Sequence, residues 1–115
     1  MKKLNWITIY ALTLAVFFAI GGTMNLAASD TTLTDYARWG YPAWFPYLTG
    51  TLEWAAAILL VFRATRLVGS ALAGSVMIAA AGTLVLNSEY AHSIAPITVL
   101  ILVAINALVH LKRAN

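Results

Sequence analysis

From Leu67 to Leu86, twenty consecutive residues pass without one charged side chain. A helix that is apolar on every side has no polar stripe to present to water, so it belongs inside a large protein or a bilayer. A chain of 115 residues is not a large protein. The whole composition agrees: 62% hydrophobic, 10% charged, mean hydropathy +0.84, against about 45–50% and about 25% for soluble domains. The apolar residues fall into four blocks, about 4–26, 46–62, 67–86 and 94–111. Each approaches the roughly 20 residues that a helix needs to cross hydrocarbon. The expected fold is all-α: a four-transmembrane-helix bundle in a single membrane domain, 1–115. A small soluble helical core would require polar stripes at a period near 3.6, and the third block has none.

The basic residues sit at block ends. Lys2 and Lys3 precede the first block, Arg63 and Arg66 join the second to the third, and Lys112 and Arg113 follow the fourth. The connections on the opposite side carry Arg38 alone, with Asp30, Asp35 and Glu89. Six basic residues against one predict both termini in the cytoplasm, which four spans allow. The net charge of +3 is therefore topological, and without a basic groove interleaved with aromatics no nucleic-acid partner is expected. The chain has no cysteine, which excludes disulfides, thiolate metal sites and thiol redox chemistry within it. The first apolar run is longer than the 7–15 residues of a signal h-region, so it is expected to stay attached as a span.

The longest connection, Ala27 to Phe45, offers caps at Ser29-Asp30-Thr-Thr and about two helical turns over Leu33–Trp39, stopped by Gly40 and the re-entry prolines Pro42 and Pro46. Six of the twelve residues Tyr36–Tyr47 are aromatic. A short amphipathic helix lying in the outer headgroup layer is the expected result, with a lid over a lipophilic ligand as the other reading. Gly21-Gly22 allows either close helix approach or a bend. In the third block Ser70, Gly74 and Gly82 share one face, a small-residue row suited to tight packing within the bundle or against a second copy. Asn106 and His110 stack on one face of the last block, with His110 at a wet boundary.

Glu53 is a lone carboxylate inside the second block, about 10 Å from its outer end at 1.5 Å per residue. Ionisable groups at such depth are costly and face protein or a water-filled cavity. Asn25 lies at comparable height, as do Asn87, Glu89 and His92 of the outer turn, and Arg38 could reach down from the amphipathic segment. The candidate binding site is an outward-facing polar pocket with Glu53 at its floor, ringed by Asn25, Arg38 and His92. The other reading is a purely structural Glu53 bonded to Thr49 or a neighbouring helix. Glu89-x-x-His92 has the spacing of half a carboxylate-bridged dimetal site, but a full one needs two such motifs and two more glutamates, so no metal is expected. No nucleophile–base–orienter set and no phosphate-cradling Gly-rich loop is present, so no catalytic residues are assigned and no enzyme is expected.

The stretch Arg38–Leu60, with Gly40-x-Pro42 followed by Gly50-x-x-Glu53, and the upstream Phe17-Phe-Ala-Ile-Gly-Gly-Thr-Met24, resembles the DoxX-like family of small membrane proteins. Relatives often carry a lysine after the paired glycines. Thr23-Met24-Asn25 stands here instead, a departure that bears on any Lys–Glu pair across the bundle. The resemblance implies a multi-pass protein of the bacterial cytoplasmic (inner) membrane. It also implies roles ranging from subunits linked to thiosulfate:quinone oxidoreduction to partners in an oxidative-stress complex and receptor-assembly chaperones.

The function expected is a non-catalytic subunit or assembly partner of a membrane complex. Its surroundings would be the lipid bilayer, and its partner a second copy or another membrane protein. The alternative is a quinone- or lipid-binding redox component using the pocket at Glu53. No resident cofactor is expected, and quinone is the one that the alternative admits.

Overall fold

The computed structural model describes residues 5–114, with side chains through Lys112. Lys2 and Lys3 lie outside the described residues. The described chain is all-helical: α1 (Trp6–Ala27), α2 (Asp30–Arg38), α3 (Phe45–Val61), a 3-10 turn (Arg63–Thr65), α4 (Arg66–Leu86) and α5 (Tyr90–Ala114). α1, the stretch Arg63–Leu86 that includes α4, and α5 are long and apolar enough to cross a membrane, and α3 is a shorter apolar helix of 17 residues.

Local chemistry sets the boundaries. Asn5 caps α1 by accepting the Thr8 amide at 2.9 Å, satisfying one of the orphan donors of the first turn. At the other end Ala28 turns left-handed at φ 47°. Ser29 then caps α2 through Thr32, so the two helices meet with only Ala28 and Ser29 between them. Gly40, at φ 89°, ends the α2 segment, and Pro46 sits in the first turn of α3, where a missing N–H costs nothing.

The C-terminal end of α3 is closed by side chains of the next turn. Thr65 donates to the Leu59 carbonyl at 2.7 Å, and the buried Arg66 donates through Nε to Leu60 and through Nη2 to Val61 at 2.8 and 3.0 Å. A cation at a helix C-terminus meets both the orphan carbonyls and the negative end of the macrodipole. α5 begins at Tyr90, a turn before the block expected from Ile94, and Pro96 lies inside it. The polar run Tyr90–Ser93 masks that turn in the sequence.

The helices pack in the order α1, α3, α4, α5, and α1 and α5 meet over only a short stretch. Leu14, Ala15 and Phe18 of α1 interlock with Ala56, Ala57 and Leu60 of α3, then Ala73, Val76 and Met77 of α4, then Val99 and Val103 of α5. The α1/α3 crossing is the tightest. A Cβ on Gly50 would lie 2.8 Å from the Gly22 carbonyl oxygen, and one on Gly22 would lie 2.9 Å from that of Gly50. Backbones approach this closely only where neither residue has a side chain. α1 runs unbroken through Gly21-Gly22, so the paired glycines serve close packing.

The outside is as apolar as the inside. Val16, Phe17 and Ile20 on α1, Ile58 on α3, Val68 and Ile78 on α4, and Ile94, Ile101 and Leu108 on α5 are all exposed. In water so continuous an apolar surface would far exceed that of a soluble monomer. In a bilayer it is the surface wetted by lipid. The molecule measures 48 × 25 × 18 Å, and its long axis matches a bilayer with its headgroups, about 40–45 Å. The chain is a multi-pass integral membrane protein.

Candidate functional site

Glu53 sits in mid-α3, 5% exposed. One turn before it, the Gly22–Gly50 crossing brings α1 close enough for Asn25 to reach across. The Asn25 side-chain amide donates to Glu53 Oε1 at 2.5 Å and to the Gly21 carbonyl of its own helix at 3.2 Å. Asn25 Oδ1 in turn accepts from the Tyr36 hydroxyl of α2 at 2.8 Å. A phenol, a carboxamide and a carboxyl group therefore form one relay joining α2, α1 and α3. Gly21 makes the room: a Cβ there would stand 2.6 Å from Glu53 Oε2. Oε2 has no hydrogen-bond partner among the described residues.

An aromatic shelf covers the outer side of this relay. The Tyr36 ring lies 5.4 Å from Trp39, 6.0 Å from Tyr41 and 6.1 Å from Phe45, and Tyr41 stacks on Phe45 at 4.3 Å with the rings 7° from parallel. Tyr41 also reaches α4, where its hydroxyl lies 2.6 Å from that of Thr83. Partial burial raises the Tyr36 phenol above its ordinary range, so it remains a neutral donor at physiological pH.

The four residues expected around one pocket divide into two groups. Asn25 and Glu53 touch. Arg38 and His92 meet at Glu89, in the turn between α4 and α5. Arg38 Nε and Nη2 fork onto the two Glu89 oxygens at 3.1 and 3.0 Å, and Nη1 holds Asp35 at 2.8 Å. Trp39 Nε1 adds a third donor to Glu89 at 2.7 Å, and His92 Nδ1 lies 3.1 Å away. Hydrogen bonds from Arg38, then Trp39, then His92 pull the Glu89 carboxyl down to about 2, and Glu89 and Asp35 hold the Arg38 guanidinium above its usual range. Bidentate guanidinium–carboxylate geometry is the strong form of this contact. It pins the C-terminal end of α2 to the far side of the bundle, while Tyr36, also in the last turn, pins it to α1. Asn87 bonds back to the Thr83 carbonyl at 2.8 Å and joins neither group. Among the described residues, no cluster of three His, Asp or Glu side chains could hold a metal.

Sequence reasoning missed Tyr36 and Trp39 as the donors that complete these two groups, because a polar tip on an aromatic ring gives no periodic signal. It did place the polar pair of α5: Asn106 donates to Ser70 of α4 at 2.9 Å, and His110 Nδ1 lies 2.8 Å from the Asn106 carbonyl. His110 Nε2 is buried and has no partner among the described residues, a drier setting than the expected wet boundary. Ser70 and Gly74 face α5, whereas Gly82 faces open space, so the expected small-residue row is split between two surroundings.

A family model described as DoxX-like matches residues 9–106. That stretch spans the α1/α3 crossing, the Glu53 relay, the Glu89 cluster and most of α5. No curated protein and no solved structure matches the chain at a significant level. The chain belongs to the DoxX-like family.

Proposed function

We propose that this protein is a four-span subunit or assembly partner of a larger complex in the bacterial cytoplasmic membrane, with both termini inside and no catalytic role of its own. In this reading α3 is the fourth span. Its 17 residues rise about 26 Å, close to the thickness of the hydrocarbon core, and local thinning covers the difference.

One observation carries the proposal: α4 turns a row of small residues away from its own bundle. Ala71, Ser75 and Ala79, four residues apart, are all exposed, and Gly82 has nothing within 4 Å of where a Cβ would stand. The Ser75 hydroxyl is satisfied by the Ala71 carbonyl at 2.8 Å, so the row is flat and needs no further donor. Lipid gains nothing from such a surface, but a partner helix does, because small residues let two backbones approach and gain dispersion contacts. The polar interior is consistent with a scaffold: the Glu53–Asn25–Tyr36 groups bond to one another and join three helices.

Ser75→Leu tests this directly. The side chain points to lipid, so the unfolding free energy of the isolated protein is expected to stay within about 0.5 kcal/mol of wild type. Co-purification of the partner in mild detergent is expected to fall at least tenfold. Wild-type protein that elutes alone, or a Ser75→Leu protein that keeps its partner, contradicts the proposal.

The aromatic shelf over Glu53, together with the free Oε2, favours a second reading in which a quinone ring or lipid headgroup lies against Tyr41 and Phe45 and bonds to Glu53. Saturable quinone binding lost in Glu53→Ala supports it, and no binding by the wild type retires it.

A further inference from the structure

The packing order α1, α3, α4, α5 leaves the bundle nearly unclosed between its first and last helices. There the Tyr10 hydroxyl donates to the Leu102 carbonyl at 2.6 Å. Beside this contact opens a cleft of about 380 Å³ walled by Trp6, Ile9, Tyr10, Thr13, Leu14 and Leu102, almost wholly apolar. Its size falls within the roughly 300–1,000 Å³ of small-molecule sites. Beyond it the seam continues toward Asn106 and Val109, where its walls close to less than the width of a water, so the cleft lies where the N-terminal end of α1 meets the C-terminal half of α5. Trp6, 63% exposed, stands at its mouth.

The charge of this end is one-sided. The four acids of the chain are Asp30, Asp35, Glu53 and Glu89, so no acid precedes residue 30 or follows residue 89. The same terminal segments carry Lys2, Lys3, Lys112 and Arg113, and Lys112 is exposed one turn beyond Val109.

We propose that the α1/α5 seam is a binding site for an anionic phospholipid, with an acyl chain in the Trp6–Thr13–Leu102 cleft and the phosphate at Lys112. The apolar walls accept a chain at no polar cost. The indole at the mouth lies at headgroup depth. Basic residues beside a bilayer surface attract anionic lipid, each contributing about a fivefold change in affinity. A second copy of this chain is a poor occupant, because membrane topology would place its own basic terminal segments against these. The site lies away from the α4 row and does not depend on whether that row meets a partner.

Delipidated protein in detergent, titrated with dioleoyl phosphatidylglycerol or dioleoyl phosphatidylcholine and read by native mass spectrometry, tests the site. Wild type is expected to retain the glycerol lipid at least fivefold more tightly. Lys112→Gln is expected to lower that affinity about fivefold and leave phosphatidylcholine unchanged. Thr13→Trp, which fills the cleft from an exposed position, is expected to weaken both lipids. If Thr13→Trp loses the wild-type thermal transition, Ile9→Trp on the same wall takes its place. Equal affinity for the two lipids, a filled cleft that still binds phosphatidylglycerol as wild type does, or cross-linking that finds a second copy in the seam overturns the proposal.

Discussion

At the residue scale, glycine placement explains why a carboxylate can lie inside this bundle. Gly22 and Gly50 bring two backbones together, and Gly21, one position earlier, leaves the space that Glu53 Oε2 occupies. Helix approach and polar pairing are therefore one feature, since Asn25 reaches Glu53 only because α1 lies so close. A methyl group at Gly22 would stand 2.6 Å from Trp54 Cδ1 and 2.9 Å from the Gly50 carbonyl oxygen, which is backbone and cannot rotate away. Gly22→Ala is expected to destabilise the protein by about 1–3 kcal/mol, the usual range for overpacking. Gly82→Ala, with open space beside it, is expected to be neutral or to gain up to about 1 kcal/mol from helix propensity. Thermal unfolding of both variants in one detergent checks the pair, and equal shifts would contradict this packing.

At the element scale, α2 is a strap. Ser29 starts it, Tyr36 in its last turn bonds it to α1, and Arg38 and Trp39 fasten its end to Glu89 between α4 and α5. The fastening has a defined pH window. The Glu89 carboxyl is lowered from 4.5 to about 2 in the folded protein, so the folded state favours the ionised form. Its contribution is fully present above about pH 4.5 and is lost as pH falls toward 2. The difference in thermal midpoint between wild type and Glu89→Gln is therefore expected to be constant from pH 7 to about 4.5 and to shrink below it. A difference that does not shrink between about pH 4.5 and 2 would show that the fork does not hold α2. The strap was partly legible in the sequence: the caps, Gly40 and the prolines marked its ends. Its attachment was not legible. His92 was expected near Glu53 because the two share a height, and Arg38 because it could reach down, but height along a bundle does not fix the position around it. Glu89, in the turn beside the end of α2, is the partner that both reach, and their hydrogen bonds outweigh its desolvation.

At the scale of the whole molecule, one physical fact organises the rest: hydrocarbon surrounds these helices. Composition and block length made this legible without coordinates, because a bilayer imposes a length and forbids charge. Side-chain pairing was less legible. Ser70 showed as part of a small-residue row and Asn106 as a neighbour of His110, whereas the bond that joins Asn106 to Ser70 did not show. The closure of the C-terminal end of α3 by Arg66 was hidden, since an arginine at a block end reads equally as a topology signal. The order of packing, with α1 and α5 barely touching, leaves no trace in a single sequence.

The central claim, four crossings with both ends on one side, turns on α3. Because the chain has no cysteine, single replacements report cleanly. Thr31→Cys, Ala64→Cys and Ala91→Cys, each exposed, are to be treated in intact cells with a membrane-impermeant maleimide. Labelling of positions 31 and 91 with position 64 protected until lysis is the result that four spans require. Labelling of 31 and 64 together, with 91 protected, would mean that α3 does not cross and would contradict the account.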